Sequence, residues 1–320
     1  MNKHKTYMLI LVSVILAVII YVSYGMMNTG KREKYHTVSV ILDNSSSDQW
    51  NALRKGLEQG AQDYHIHLNV VSTGELFDVD EEYTLIGREL EQEVDGLIVD
   101  MCWTDKEEFW EQAASAKPIV FVQDNLQVGN VYTAVAPDPV QLGNALGKAI
   151  LERENKETLK IGILAGKKNR DVQTLRIQGL QDALLDAGCS IEWILYEEDL
   201  LYKDALEQKT EQEPIDVLAA LDNEATEAAV DFLSENPDIS LKLYGEARSE
   251  KAVYYLDKGL IEVLVVSNDF YMGYRSVELM AQKLNYHLSD TQQESVDFFI
   301  VSRENMYEKS MEKILFPTIR

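Results

Sequence analysis

The sequence has little cysteine, since only Cys102 and Cys189 occur in 320 residues. Small domains that depend on disulfides carry several cysteine pairs, and a structural zinc ion takes four ligands drawn mainly from cysteine and histidine. Two distant cysteines argue against a disulfide framework, and their number excludes a structural zinc site. With 46% apolar residues, the chain is able to form two packed lobes of ordinary size.

Positive charge is also scarce. The chain carries 30 lysines and arginines against 54 aspartates and glutamates, which gives a formal net charge of -24 at pH 7. A chain this acidic repels the phosphate backbone of DNA and RNA. We therefore expect no nucleic acid among its partners.

Motifs for catalysis and for metal or cofactor binding are missing. The stretch from Gly162 to Lys167 resembles a phosphate-binding loop, but it lacks the four intervening residues and the Ser or Thr after the lysine. His65 and His67 share one face of a predicted strand without a third ligand nearby, which is typical of solvated strand ends. No nucleophile is paired with a base, so we expect neither an enzyme nor a cofactor.

One long apolar run is present near the start of the chain. No charged residue occurs from Tyr7 to Met27, and about 20 apolar residues in a helix span the roughly 30 Å hydrocarbon core of a bilayer. The sequence therefore predicts a membrane span over residues 6–27, after a cytoplasmic tail at 1–5 and before a linker at 28–35.

The membrane span is predicted to be retained in the mature protein. A cleavable signal has a shorter apolar region and ends in small residues, whereas bulky Tyr24 and Met26 occur here. The charges on both sides of the span are balanced, because Lys3 and Lys5 precede it and a basic patch follows. Charge alone therefore does not predict the orientation of the span.

Short apolar runs alternate with amphipathic stretches through the rest of the chain. Predicted strands lie at 36–42, 67–71, 96–100, 118–122, 160–164, 191–195, 216–220, 241–244 and 262–266. Predicted helices lie at 48–64, 81–93, 106–114, 140–152, 172–187, 200–209, 224–235 and 249–257. This alternation predicts an α/β protein with two doubly wound parallel-sheet lobes, after one N-terminal transmembrane helix. Ligands of such sheets bind outside the carboxyl ends of the strands, which indicates a cleft between the lobes.

Eight segments in order carry a family resemblance. They read VSVILDNSSSDQWNALRKGLEQGAQ, VDGLIVD, KPIVFVQDN, APDPVQLG, KIGILAG, LRIQGLQDAL, PIDVLAALDNEA and LDKGLIEVLVVSNDFYMG. From about Thr37 to Ser302 the chain resembles the type I periplasmic binding proteins for sugars, such as the ribose- and galactose-binding proteins. The resemblance implies one lobe of residues 36–136 plus 268–290 and a second of 137–267 plus 291–320. It also implies a sugar in the cleft and a location outside the cytoplasm.

Regulators of the lactose-repressor type share this core. They carry an N-terminal helix-turn-helix for DNA, whereas here the predicted membrane span takes that position. The sequence therefore excludes a repressor.

The first predicted strand is followed by polar side chains that suit a hydroxyl-rich ligand. The loop offers Asp43, Asn44, Ser47 and Gln49, and we expect the last three to contact the ligand. Trp50 lies six residues before Gly56, where the family commonly places an aromatic ring that stacks on a sugar. A position on the core face of the following helix is the alternative.

Two residues further along match ligand contacts of the family. Arg176, three residues before Gly179, has a planar fork that suits vicinal hydroxyls or a carboxylate, with a surface salt bridge as the alternative. Asp222 matches an aspartate in a turn after a strand, with a helix N-cap as the alternative.

Three other candidate contacts depart from the family pattern. Gln123 and Asp124 stand near the place of a ligand-binding aspartate, and Ser267 replaces a glutamine of the cleft. These departures do not affect the fold prediction, but they leave the identity of the ligand undetermined.

Together these features predict a membrane-anchored extracytoplasmic solute-binding protein for a sugar or polyol. Its closed form would dock on an ABC permease or on a membrane histidine kinase. The alternative is a degenerate binding-protein fold that binds another protein and no small molecule.

Overall fold

The computed structural model describes residues 7, 12–23, 35–76, 79–100, 107–123, 133–154, 158–167, 170–197, 202–286 and 292–316. The chain divides into two compact units, Met1–His36 and Thr37–Arg320.

The N-terminal unit contains the predicted membrane span. Of residues 6–27, the structure describes Tyr7 and residues 12–23, which are helical with exposed side chains. None of the helices formed by described residues is both long enough and apolar enough to cross a membrane. The predicted tail at 1–5 and residues 28–34 of the predicted linker lie outside the described residues.

The large unit alternates strands and helices. The strands are β1 (His36–Ile41), β2 (Ile66–Val70), β3 (Gly96–Asp100), β4 (Ile119–Val122), β5 (Thr133–Ala136), β6 (Lys160–Ala165), β7 (Ser190–Tyr196), β8 (Val217–Ala220), β9 (Lys242–Glu246), β10 (Ile261–Ser267), β11 (Gln292–Ser295) and β12 (Phe298–Ser302). The helices are α1 (Asn51–Tyr64), α2 (Val79–Glu91), α3 (Glu107–Ala116), α4 (Pro139–Arg153), α5 (Asp171–Asp186), α6 (Tyr202–Gln212), α7 (Asn223–Glu235), α8 (Glu250–Lys258), α9 (Asp269–Tyr286) and α10 (Lys309–Leu315).

Two six-stranded sheets result. The first has the order β11-β5-β4-β3-β1-β2, and the second has the order β12-β10-β9-β8-β6-β7. All the strand pairs with a described register are parallel except β10 with β12. Central strands such as β3, with the sequence GLIVD, are buried along their whole length because helices cover both faces of the sheet. The prediction of two parallel-sheet lobes is confirmed.

The chain passes between the lobes at three places. The crossings follow β5, β10 and β11, and they are tied together by their backbones. Val296 N–H donates to Ala136 O at 3.0 Å, and Asn268 N–H donates to Asp297 O at 3.0 Å. These hydrogen bonds join the three crossing segments into a narrow hinge.

One predicted boundary is wrong. We expected residues 291–320 in the second lobe, but β11 pairs in parallel with β5 in the first sheet, with Gln292 opposite Thr133. The crossing therefore falls at Val296 and Asp297, after a last strand that completes the edge of the first sheet.

Each lobe contains a close crossing of two helices that depends on glycine. In the first lobe a Cβ at Gly56 of α1 would lie 2.0 Å from Phe270 O of α9. In the second lobe a Cβ at Gly179 of α5 would lie 1.9 Å from Val140 O of α4. The obstacle is backbone in both cases, so no side-chain rotation relieves the contact.

The Gly179→Ala substitution should therefore lower the free energy of unfolding by roughly 1–3 kcal/mol, as overpacking typically does. Gly87 is the matched control, because it also lies inside a helix and its Cβ would meet open space. Gly87→Ala should be neutral or stabilising by up to about 1 kcal/mol. Urea unfolding of both variants checks this, and equal effects would contradict the proposed role of the close crossing.

Candidate functional site

The carboxyl ends of parallel strands from both sheets converge on one cavity between the lobes. Its volume is about 80 Å³. It is lined by Asp43, Asn44, Gln49, Trp50, Glu75, Asp100, Gln123, Lys167, Arg170, Val172, Gln173, Arg176, Glu197, Asp222, Asn223, Glu224 and Arg248. Six of the nine predicted ligand contacts belong to this lining. The lining contains far more charged residues than a typical small-molecule pocket does.

Two loops that reach the cavity have strained backbones. Asn44 after β1 has φ 44°, and Gln123 after β4 has φ 69°. Residues other than glycine rarely adopt positive φ angles, although asparagine tolerates them better than most. Strain of this kind collects at binding sites, where the surrounding structure holds the backbone in place. The Asn44 loop is held by its backbone N–H, which donates to Gly74 O at 2.9 Å.

Asp43 binds two cations of the opposite lobe. Arg170 Nη2 lies 2.6 Å and Lys167 Nζ 3.3 Å from Asp43 Oδ2, while Asp43 Oδ1 accepts a hydrogen bond from Leu76 N at 2.7 Å. Lys167 Nζ also donates to Leu76 O at 2.6 Å. We call Asp43, Lys167 and Arg170 the clamp. It joins the lobes through charge-assisted hydrogen bonds.

Arg248 is a second link between the lobes. It follows β9 in the second lobe, and its Nη1 donates to Gln123 Oε1 at 3.1 Å and pairs with Asp269 Oδ1 at 3.3 Å in the first. Its guanidinium carbon lies 5.4 Å from the ring centroid of Trp50. This distance allows a cation–π interaction across the cleft.

Trp50 has the core position that was the alternative to a ligand contact, and its contact with a ligand stays a prediction. It is 3% exposed and belongs to the apolar core of the first lobe, and it also lines the cavity. Its indole N–H donates to Asp43 O at 2.9 Å, which fixes the ring beside the clamp. The ring therefore lies where a sugar face would reach it, although Arg248 already contacts it.

Arg176 forms a buried ion pair. Its Nη2 lies 3.2 Å from Glu246 Oε1, and its Nη1 donates to Leu221 O at 3.0 Å. Arg176 is only 5% exposed, so the alternative prediction, that it forms a salt bridge on the surface, is wrong. Burial raises the pKa of Glu246, against the effect of Arg176 and Arg248.

Asp222 caps a helix and faces the cavity at the same time. Its Oδ1 accepts from Ala225 N at 2.8 Å at the start of α7, and its Oδ2 accepts from Gln173 Nε2 at 2.7 Å. Burial and the nearby Glu224 raise the pKa of Asp222 to about 6, although the Ala225 N–H and two arginines oppose the shift.

Glu197 shares the cavity wall with Glu75 of the other lobe. Burial and a hydrogen bond with Glu75 raise the pKa of Glu197 to about 8, although Lys167 opposes the shift. Glu197 therefore keeps its proton at neutral pH.

The remaining predicted contacts have different positions. Gln49 Nε2 donates to Glu224 Oε1 of the other lobe at 2.9 Å, whereas Ser47 is outside the cavity lining and its carbonyl accepts from Arg54. Ser267 lies in the wall of a separate cavity of about 410 Å³ beside α8 and α10. Asp124 lies outside the described residues.

Several cavity residues were missed in the sequence. Lys167, Glu197 and Arg248 each follow a parallel strand, β6, β7 and β9 respectively. The rule that ligands meet the carboxyl ends of such strands supplied the signal for all three. The ion pairs of Lys167 with Asp43 and of Arg248 with Asp269 depend on the closed arrangement of the lobes, which no local pattern indicates.

Comparison with protein families matches residues 38–287 to the periplasmic binding protein domain. Comparison with curated protein sequences gives no match.

Solved structures with the same fold are numerous. A carbohydrate transporter solute-binding protein from Agrobacterium radiobacter, in complex with D-arabinose, superposes with TM-score 0.79 at 16% identity, over 88% of this chain and 99% of that one. GanP, a glucose-galactose binding protein from Geobacillus stearothermophilus, gives 0.78 at 17% identity, over 86% and 100%. The XylFII-LytSN complex gives 0.73 at 16%, over 84% and 98%.

The raised pKa of Glu197 predicts how stability depends on pH. The folded protein keeps this proton up to about 8, whereas the unfolded chain releases it near 4.5, so stability falls as pH rises through this window. The melting temperature of a Glu197→Gln variant should fall less over the same range. Glu207, an exposed carboxyl on α6, is the matched control as Glu207→Gln. Equal slopes for wild type and Glu197→Gln would contradict the pKa assignment.

Proposed function

The chain belongs to the periplasmic binding protein domain family, and on this premise we propose that it is an extracytoplasmic solute-binding protein. Its two lobes close around a sugar or a related small polar molecule. The observation that carries the proposal is the cavity at the strand ends, where Trp50, Arg176 and Asp222 come together. An aromatic face and buried polar forks are the groups that such ligands require.

The cavity is smaller than an ordinary ligand pocket, which indicates a closed form. The volume of the cavity is about 80 Å³, whereas ligand pockets usually measure roughly 300–1,000 Å³. The clamp and Arg248 occupy part of the space between the lobes. A ligand therefore enters when the hinge opens, and it stabilises the closed state by replacing these contacts with its own.

The proposed location follows from the family and from the N-terminal run. Residues 6–27 would anchor the protein in the cell membrane, with both lobes outside the cytoplasm. A retained anchor and a short linker hold the lobes near a neighbouring membrane protein, which suits docking on an ABC permease or a membrane histidine kinase. XylFII, which shares the fold, is in a complex with a second protein, LytSN.

A second candidate function is a protein-interaction module that has lost its small-molecule ligand. The observation in its favour is the clamp, because Asp43 joins the lobes directly through Lys167 and Arg170. A fold locked in this way could present a constant surface to a membrane partner.

A ligand screen on the full-length chain separates the two. A ligand at a hundredfold excess over its Kd adds about 2.7 kcal/mol to stability, so thermal shifts with pentoses, hexoses and polyols should identify a binder. Calorimetry then gives its Kd. The absence of binding by every compound, together with binding to the external part of a permease or kinase, would favour the second candidate.

Trp50→Leu should weaken binding of the ligand about 3- to 10-fold through loss of an aromatic contact. Trp193 is the matched control, because it is also buried and its indole N–H also donates to a backbone carbonyl, Glu213 O at 3.2 Å. It lies in the core of the second lobe, outside the cavity. Trp193→Leu should destabilise the protein and leave the Kd unchanged. Equal losses of affinity in both variants would refute the contact.

A further inference from the structure

The cavity between the lobes has an excess of negative charge. Its lining contains six carboxyl groups, on Asp43, Glu75, Asp100, Glu197, Asp222 and Glu224, against four cations, and five of the six are charged at neutral pH because Glu197 keeps its proton. Two of the cations pair with carboxylates behind the lining, since Arg176 lies 3.2 Å from Glu246 and Arg248 lies 3.3 Å from Asp269. The other two, Lys167 and Arg170, both bind Asp43, and Lys167 also lies 3.6 Å from Glu75 Oε1. The wall therefore keeps a net negative charge after its own ion pairs are formed.

One part of the cavity wall is rich in hydrogen-bond acceptors. Gln173, which is 2% exposed, donates from Nε2 to Asp222 Oδ2 at 2.7 Å, and this bond fixes the orientation of its amide. Within the part of the chain that the structure describes, Gln173 Oε1 has no hydrogen-bond partner. We call Gln173 Oε1 and the carboxyl groups of Glu197 and Asp222 the acceptor corner. A buried acceptor without a partner is costly, so the corner favours a ligand that donates.

The chemistry of the corner selects among small polar ligands. A phosphate, a sulfate or a carboxylate would be repelled by the charge of Asp222, and a fully ionised anion could not donate to Gln173. A sugar hydroxyl donates only one hydrogen bond and carries no charge. A protonated primary amine donates three hydrogen bonds and carries the compensating charge, as a lysine ammonium does.

We propose that the ligand of the cleft carries a protonated amine beside its hydroxyls, as an amino sugar does, and that the amine binds in the acceptor corner. This inference rests on the proposed function and names its ligand class. The hydroxyls of the ligand would then meet Arg176 and Asn44 in the same cavity.

Calorimetric titrations of the full-length chain test the proposal with matched compounds. D-Glucosamine and D-galactosamine should bind at least about tenfold more tightly than D-glucose and D-galactose, which is a difference of about 1.4 kcal/mol. The N-acetyl forms, which lack the charge, should lose this advantage. Hexoses that bind as tightly as their amines would overturn the inference and leave the proposed function intact. Failure of all these compounds to bind would count against both.

A variant that cannot ionise tests the placement of the amine. Glu197→Gln keeps the shape of the side chain but cannot become a carboxylate beside a bound ammonium, so it should reduce affinity for the amino sugar about tenfold more than affinity for the parent hexose. Glu207→Gln, on the exposed face of α6, should change neither. Unchanged amino-sugar affinity in Glu197→Gln, with a normal melting curve, would overturn the acceptor corner as the amine site.

Discussion

The arrangement of the two lobes depends on Asp43. Its Oδ2 binds Lys167 and Arg170 of the opposite lobe, while its Oδ1 accepts from Leu76 N and its backbone carbonyl accepts from Trp50. One residue thus holds the cavity-lining tryptophan, the loop after β2 and the contact between the lobes in place. Such partly buried pairs contribute little net stability, but loss of one partner leaves charges without compensation.

The rest of the site follows from the way parallel sheets end. Each lobe brings the carboxyl ends of its strands to one edge, and the hinge turns the two edges towards each other. Glycines allow the close helix crossings in both lobes, at Gly56 and Gly179. The charged side chains at the strand ends therefore meet across a narrow gap. Substitution of one of them alters both the surface of the cavity and the contact between the lobes.

Much of this architecture could be predicted from the sequence, because buried parallel strands read as apolar runs between amphipathic helices. The four-residue strand β5 (Thr133–Ala136) was missing from the prediction, since so short a run carries little periodicity. The helix predicted from residue 48 begins with a 3₁₀ turn at Asp48–Trp50, which brings Gln49 and Trp50 to the cavity. Lys167, Arg170 and Arg248 could not be assigned partners, because those partners are distant in sequence and meet them only in the folded chain.

The distance between the lobes is the measurement that tests most directly whether Asp43 holds the cleft closed. Spin labels at Glu58→Cys in α1 and Glu207→Cys in α6, with the two native cysteines replaced, would report that distance by pulsed electron resonance without ligand. We expect one narrow distribution for the protein with Asp43. The Asp43→Asn variant keeps the acceptor for Leu76 N and loses the charge, so its distribution should broaden towards longer distances. Identical distributions in the two proteins would contradict a cleft held closed by Asp43.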